Sequence, residues 1–290
     1  MCDKVIFTPG ICVCAHLTQI CRRAEKVRRN EEKIMKKATK VMALAATMIM
    51  LACTLTACGG SAKGGKLTFG TNAEFPPFEY VTSEGVIDQY DGIDMAIAKY
   101  IAEQNDMTPV IENMEFDSLL VALQNGQIDA VIAGMTATDE RRESVDFSTP
   151  YYTATQVMIV KEDSDIATAA DMADKKICVV QGYTGEVCVN DMGYPYEAFK
   201  KGTEAVMELV NGKCDVVVID SATAKKYVSD NEGLKIVEDA GAFESEEYAI
   251  AVQKGNTELL DKINQSIEAM LADGTVNELA VEYTEAVSAE

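Results

Sequence analysis

The stretch Gly134-Met-Thr-Ala-Thr-Asp-Glu-Arg-Arg-Glu-Ser-Val-Asp-Phe-Ser-Thr-Pro-Tyr-Tyr152 follows an apolar run, Ile128 to Ala133, that reads as a buried strand. It sets small residues, hydroxyls and a cation just past that strand's carboxyl end, where open α/β folds hold small ligands. After residue 29 the chain carries arginine only at Arg141 and Arg142 and uses lysine elsewhere. A planar guanidinium fork matches a carboxylate or phosphate held through two parallel hydrogen bonds. The same residues also fit a plain helix start, Thr138-x-x-Arg141, with surface charge behind it.

Outward from that stretch, the amino-terminal part has the three pieces of an export signal. Lys36, Lys37 and Lys40 form a basic front, Val41 to Ala52 an apolar middle, and small residues follow. The apolar run is shorter than the ~20 residues of a membrane-spanning helix. Leu55-Thr56-Ala57-Cys58 is similar to a bacterial lipobox, which implies cleavage before Cys58 and lipidation of its thiol. Residues 35–57 are therefore expected to be a lipoprotein signal and 58–65 the lipidated cysteine with a Gly-Ser tether. Residues 1–34 precede the signal and are expected to be a mis-assigned upstream segment, with translation starting at Met35.

From Cys58 onward 16 basic residues stand against 43 acidic ones, a net charge of −27. A surface this acidic argues against nucleic acid and against anionic bilayers except through the lipid. The lone histidine, His16, lies before the signal, and tryptophan is absent. Histidine-dependent triads and histidine-ligated metal sites are thus excluded from the exported part, and no cofactor is expected. Cys178 and Cys214 sit in apolar runs and read as buried small hydrophobes. Cys188 is open, and a Cys178–Cys188 pairing remains an alternative.

Strand-like and helix-like segments alternate along the exported part. Lys66–Gly70, a segment near Val110, Thr153–Val160, Lys176–Val180 and Tyr248–Val252 read as strands. Ile93, Ala96, Ile97, Tyr100 and Ile101 mark one helix face, and Phe116, Leu119, Leu120 and Leu123 another. Thr184 is placed to cap a helix following Gln181-Gly-Tyr-Thr-Gly185, beside an anion-friendly corner. Two final helices cover Asn256–Ala272 and Thr275–Tyr283.

An internal echo carries more information than any single element. Leu123-Gln-Asn-Gly-Gln-Ile-Asp-Ala-Val-Ile-Ala-Gly134 returns as Leu209-Val-Asn-Gly-Lys-Cys-Asp-Val-Val-Val-Ile-Asp220. Each is a helix closed by Asn-Gly, then an aspartate, then a buried strand. Gly134 and Asp220 become counterparts at the carboxyl ends of equivalent strands, which points to two similar lobes facing one another. Two crossings between lobes give a hinge, and a hinge gives a cleft that can close.

In order and at this spacing, several motifs identify a family. They are Thr71-Asn-Ala-Glu-Phe-Pro-Pro-Phe-Glu-Tyr80, Tyr90-Asp-Gly-Ile-Asp94, Ala133 through Arg141 with Asp146-Phe-Ser148, Gln181 through Gly185, and Asp215 through Asp220. The chain from about Lys66 onward resembles the extracellular solute-binding proteins of polar amino acid ABC importers. That resemblance implies an α/β, two-lobed periplasmic-binding-protein-like fold, each lobe a mostly parallel sheet flanked by helices. Residues 66–153 and 249–290 would form one lobe and 154–248 the other.

The resemblance also implies roles. Arg141 would grip a ligand α-carboxylate, helped by Thr136 and by Thr184 from the other lobe. Asp220 would take the α-ammonium, with the Gly134 carbonyl as second acceptor. Phe75 and Phe116 would flank the ligand side chain, with Asn72 and Gln181 nearby. The implied partners are a free L-amino acid with a polar or charged side chain, and the permease and ATPase subunits of an importer. The protein is expected to be a monomer, extracytoplasmic and lipid-anchored to the cell membrane, and not an enzyme. A cyclohexadienyl dehydratase-like enzyme, with Glu74 as the one nameable general acid, or an amino-acid sensor, are the alternative readings.

Overall fold

The computed structural model describes residues 64–287. The export signal, Cys58 and residues 1–34 lie outside the described residues. Two sheets form the two lobes. The first has the order Thr108–Asn113 (β5), Lys66–Thr71 (β1), Ala130–Val131 (β6), Ala251–Gln253 (β14) and Val145–Phe147 (β7). Strand β1 runs parallel to β5 and β6, and β14 is antiparallel to β6 and β7. The second has Tyr196–Phe199 (β10), Ile177–Val180 (β9), Val216–Asp220 (β11), Tyr152–Lys161 (β8) and Leu234–Val237 (β12). Here β9 is parallel to β10 and β11, while β8 is antiparallel to β11 and β12.

The repeated unit is visible in bonds as well as in letters. The helices Leu119–Gln124 (α2) and Gly202–Val210 (α5) both end at Asn-Gly, with Gly126 at φ 68 and Gly212 at φ 72. In each, the residue after the glycine donates back into the last turn, Gln127 to Ala122 at 3.0 Å and Lys213 to Glu208 at 2.9 Å. That pattern satisfies carbonyls a helix end leaves open. The two aspartates then make the same bond: Asp129 accepts the Thr68 N–H and Asp215 the Lys176 N–H, both at 2.8 Å. Each thereby fixes its own strand against the neighbouring parallel one.

Two differences from the sequence expectations concern the strands. The run Ile128–Ala133 is buried apart from Asp129, but only Ala130–Val131 makes ladder pairs. The return crossing is split. Ser245–Tyr248 (β13) pairs antiparallel with β8, and only after Ala249 and Ile250 does β14 enter the first sheet. Cys178 and Cys214 are buried and Cys188 is half-buried, all as free thiols. The thiol beside Cys178 is Cys214, not Cys188.

The loop that carries Phe75 is pinned to a helix start. Pro77 and Phe78 carbonyls accept the Ile93 and Asp94 N–H groups at 3.1 and 2.9 Å, supplying partners for the first turn of Ile93–Gln104 (α1). The approach is possible because residue 92 is glycine, at φ 123, where a Cβ would lie 2.1 Å from the Phe78 carbonyl oxygen. At Gly126 the φ is also positive, yet nothing lies within 4 Å of an added Cβ. Gly92→Ala is therefore expected to destabilise the protein by about 3 kcal/mol or more. Gly126→Ala is expected to cost only about 1 kcal/mol, the left-handed backbone alone. Urea denaturation of both variants checks this, and equal costs would reject the close approach at Gly92.

Candidate ligand-binding site

The strand ends converge on a tight cavity between the lobes, with free space of about 10 Å³, closed down to the size of a single water. Phe75, Phe116, Gly134, Thr136 and Arg141 line it from the first lobe, and Thr184 and Asp220 from the second. Seven of the nine ligand-contact residues expected from sequence are thus in one place, joined by Ala133 and Tyr183. Asn72 and Gln181 do not line this cavity. Asn72 accepts the Tyr183 hydroxyl at 2.9 Å and donates to the Met114 carbonyl at 3.0 Å. The Gln181 N–H is held by Phe199 in the second lobe.

Arg141 sits in the short helix Asp139–Ser144 (α3), whose start is capped by the Thr138 hydroxyl as the spacing suggests. Its Nη1 donates to the Thr136 carbonyl at 2.8 Å and its Nη2 to the Gly182 carbonyl at 2.9 Å, so it touches both lobes. The guanidinium carbon lies 5.3 Å from the centre of the Phe116 ring. Burial pulls its pKa down, and Glu246, Asp220 and Glu140 pull it back up. Guanidinium groups keep their proton regardless, so a cation faces the cavity. Arg142, by contrast, is exposed and donates to the Ala137 carbonyl at 3.1 Å.

Asp220 is fully enclosed and accepts the Tyr248 hydroxyl. Burial, followed by repulsion from Glu246, pushes its carboxyl up to about 7. Thr184 does not cap its helix. It is the first helical residue of Thr184–Asp191 (α4), and its hydroxyl donates to Glu246 Oε2 at 2.7 Å while accepting from Gln156 Nε2 at 3.0 Å. The corner beside it already holds a protein carboxylate, since Glu186 accepts the Gly182 N–H at 2.6 Å. Aromatic rings close the remaining side: Tyr183 meets Phe75 and Phe116 edge-on, with centroids at 5.3 and 4.7 Å.

The site is lined by a cation from one lobe and an enclosed carboxyl from the other. The family model for bacterial extracellular solute-binding proteins, family 3, matches residues 67–286. The chain belongs to that family. Among its relatives, the arginine-binding extracellular protein ArtP of Bacillus subtilis strain 168 is 34% identical over 236 residues, covering 78% of this chain and 90% of the relative. Among solved structures, the arginine-, lysine-, histidine-binding protein ArtJ of Geobacillus stearothermophilus is 33% identical with a TM-score of 0.71, over 75% of this chain and 94% of that one. An ancestral amino acid-binding protein, AncCDT-1, a precursor of cyclohexadienyl dehydratase, is 32% identical with a TM-score of 0.70, over 76% and 96%.

In this family 3 solute-binding protein, sequence reasoning gave no role to Tyr183, Glu246, Tyr248 or Asp94. Tyr183 stood inside a motif that was already quoted. Glu246 and Tyr248 are two apart on one strand and so share a face, which was the available signal for both. Asp94 stood only at the end of a quoted motif. Its carboxylate instead reaches beneath the cavity, accepting the Gly134 N–H at 2.7 Å and the Tyr151 hydroxyl at 2.9 Å. Burial raises it to about 7, those two bonds resisting. Glu79 is buried beside it and pushed well above the carboxylate range, first by burial and then by Asp94.

Three enclosed carboxyls with raised folded-state pKa values have a definite consequence for stability. The unfolded chain releases these protons near pH 4, the folded one at about 7 for Asp94 and Asp220 and well above the usual carboxylate range for Glu79. Their contribution is therefore fully present below about pH 4 and is lost as pH rises through about 7, at up to about 1.4 kcal/mol per pH unit for each group. The melting temperature of the ligand-free protein is expected to fall between pH 5 and pH 7. Glu79→Gln, a neutral stand-in for the protonated acid, should flatten part of that fall. A melting temperature that rises across this window, with an unchanged slope in Glu79→Gln, would reject the assignment.

Proposed function

We propose that this protein captures a free L-α-amino acid between its lobes and presents it to the permease and ATPase subunits of an ABC importer. The supporting observation is that Arg141 of one lobe and Asp220 of the other both line one small cavity. A zwitterion bridges them with a charge-assisted hydrogen bond at each end. Arg141 takes the α-carboxylate, using N–H groups not committed to the two carbonyls. Asp220 and the Gly134 carbonyl take the α-ammonium, and the cation restores the ionised form that burial disfavours in Asp220.

The ligand side chain runs towards Phe75, Phe116 and Tyr183. Beyond them Glu74 and Asp117 are paired with Lys201 and Lys200 of the other lobe, at 2.7 and 3.0 Å. A polar or cationic side chain suits that end, in keeping with the arginine-binding relatives. The Glu74 pairing also supports binding over turnover. The Glu74 carboxylate is held by Lys201 and does not line the cavity, so it is not placed to give a proton to a ligand there. Cys58 is the proposed lipid attachment, holding the exported protein to the outer face of the membrane.

Calorimetric titration of the full chain, freed of co-purified ligand, against the proteinogenic amino acids is expected to show one-to-one binding to one or a few. Arg141→Lys should weaken that binding on the order of a hundredfold, because a point charge cannot reproduce the fork. Arg142→Lys should bind as the wild type does. Wild-type affinity in Arg141→Lys would remove the central claim.

A further inference from the structure

Glu246 lies opposite Ala154 of strand β8, where the chain passes between the lobes. Its Oε2 accepts the Thr136 hydroxyl at 2.6 Å and the Thr184 hydroxyl at 2.7 Å, one donor from each lobe. An oxygen that accepts two hydroxyl hydrogens at these distances carries no proton of its own. Thr136 and Thr184 form a shared wall. They line the inner cavity with Arg141 and Asp220, and also an outer one that Glu246 lines together with Cys188 and Ala242. Glu246 therefore addresses the two hydroxyls from behind, away from the ligand's side.

Each threonine hydroxyl has one hydrogen and two lone pairs. With its hydrogen directed outward to Glu246, Thr136 can only accept on its inner side. Thr184 is in the same state, with one acceptor position already filled by Gln156 at 3.0 Å. Thr136 is also held in place by its backbone bridge to Tyr248, the residue that donates to Asp220. Three residues lining the inner cavity then carry acceptors: the Asp220 carboxylate, the Gly134 carbonyl and the Thr136 hydroxyl. An alkylammonium has three N–H donors to match them.

We infer that Glu246 is a positioning residue that fixes the polarity of the Thr136 hydroxyl, making it an acceptor for the ligand ammonium instead of a donor to a carboxylate. The inference rests on the amino-acid reading of the cavity. It assigns the α-carboxylate to Arg141 without help from the Thr136 hydroxyl. It also makes the site's preference for a zwitterion over a simple carboxylic acid depend on a side chain that never touches the ligand.

The test compares ligands that differ only at the ammonium. The probes are L-arginine and L-glutamine with their deamino counterparts, 5-guanidinopentanoic acid and glutaramic acid, titrated into the full chain and its variants. Glu246→Leu, which removes the acceptor, is expected to weaken the bound amino acid tenfold or more and its deamino counterpart less than twofold. Glu246→Gln keeps an accepting oxygen and should recover most of the loss. In a Thr136→Val background, Glu246→Leu should have little further effect, because the hydroxyl it orients is gone. Equal weakening of amino acid and deamino acid, or an undiminished effect in the Thr136→Val background, would show that Glu246 merely ties the lobes together and would overturn the inference. Absence of wild-type binding to any proteinogenic amino acid is a separate result, which would overturn the amino-acid reading and this inference with it.

Discussion

The guanidinium of Arg141 meets both halves of the molecule at the cavity. It donates to the Thr136 carbonyl on its own lobe and to the Gly182 carbonyl on the other. The rest of the site follows from holding a cation there. Its positive charge favours the enclosed Asp220 and the half-buried Glu246 nearby. The enclosure in turn costs carboxylates their ionised form, which is why Asp220 sits near 7. The cavity is thus polarised before any ligand enters, with its cation on one lobe and its most easily recharged acid on the other.

That division traces to the duplicated helix–strand unit. One copy ends at Gly134 and the other at Asp220, and each aspartate that opens the strand is locked to a backbone N–H of the preceding parallel strand. Equivalent strand ends therefore face each other across the cleft. Glycine at one end leaves a carbonyl and a close approach to Phe75, whereas aspartate at the other supplies charge. Function here is a small substitution on a symmetric frame. The frame itself is specified by helix-closing Asn-Gly pairs and by core-facing valines and isoleucines.

How much of this could be read from the letters depended on how far apart the partners lie. The Thr138 cap of Arg141 spans three residues and the Asn-Gly closures five, so local chemistry specifies them. The helix faces and the repeat were legible for the same reason. The bonds of Glu246 to Thr136 and Thr184 span 110 and 62 residues, and that of Tyr248 to Asp220 spans 28. Nothing local distinguishes Glu246 from Glu247 beside it except strand alternation. Thr184 was misread because its hydroxyl found stronger tertiary partners than the amides of its own helix. Asn72 and Gln181 flank the site in sequence, but the Asn72 amide is engaged by Tyr183 and Met114, and the Gln181 backbone by Phe199.

Closure of the cleft without ligand rests on modest contacts. Lys200–Asp117 and Lys201–Glu74 join the lobes at their rim, and pairs as open to solvent as these contribute about 0–1 kcal/mol each. The Tyr183–Asn72 bond and the edge-on rings add more, but against them stands the cost of enclosing Asp220 away from water. A ligand shifts the balance only through interactions it makes in the closed form. An ammonium against Asp220 supplies one of these directly, because it makes the buried carboxylate favourable where burial alone makes it costly. A carboxylate on Arg141 supplies the second, on a group that already spans the lobes. A molecule bearing only one of the two charges would leave either the acid or the cation uncompensated, so on the proposed reading closure around a zwitterion would be favoured over closure around its fragments.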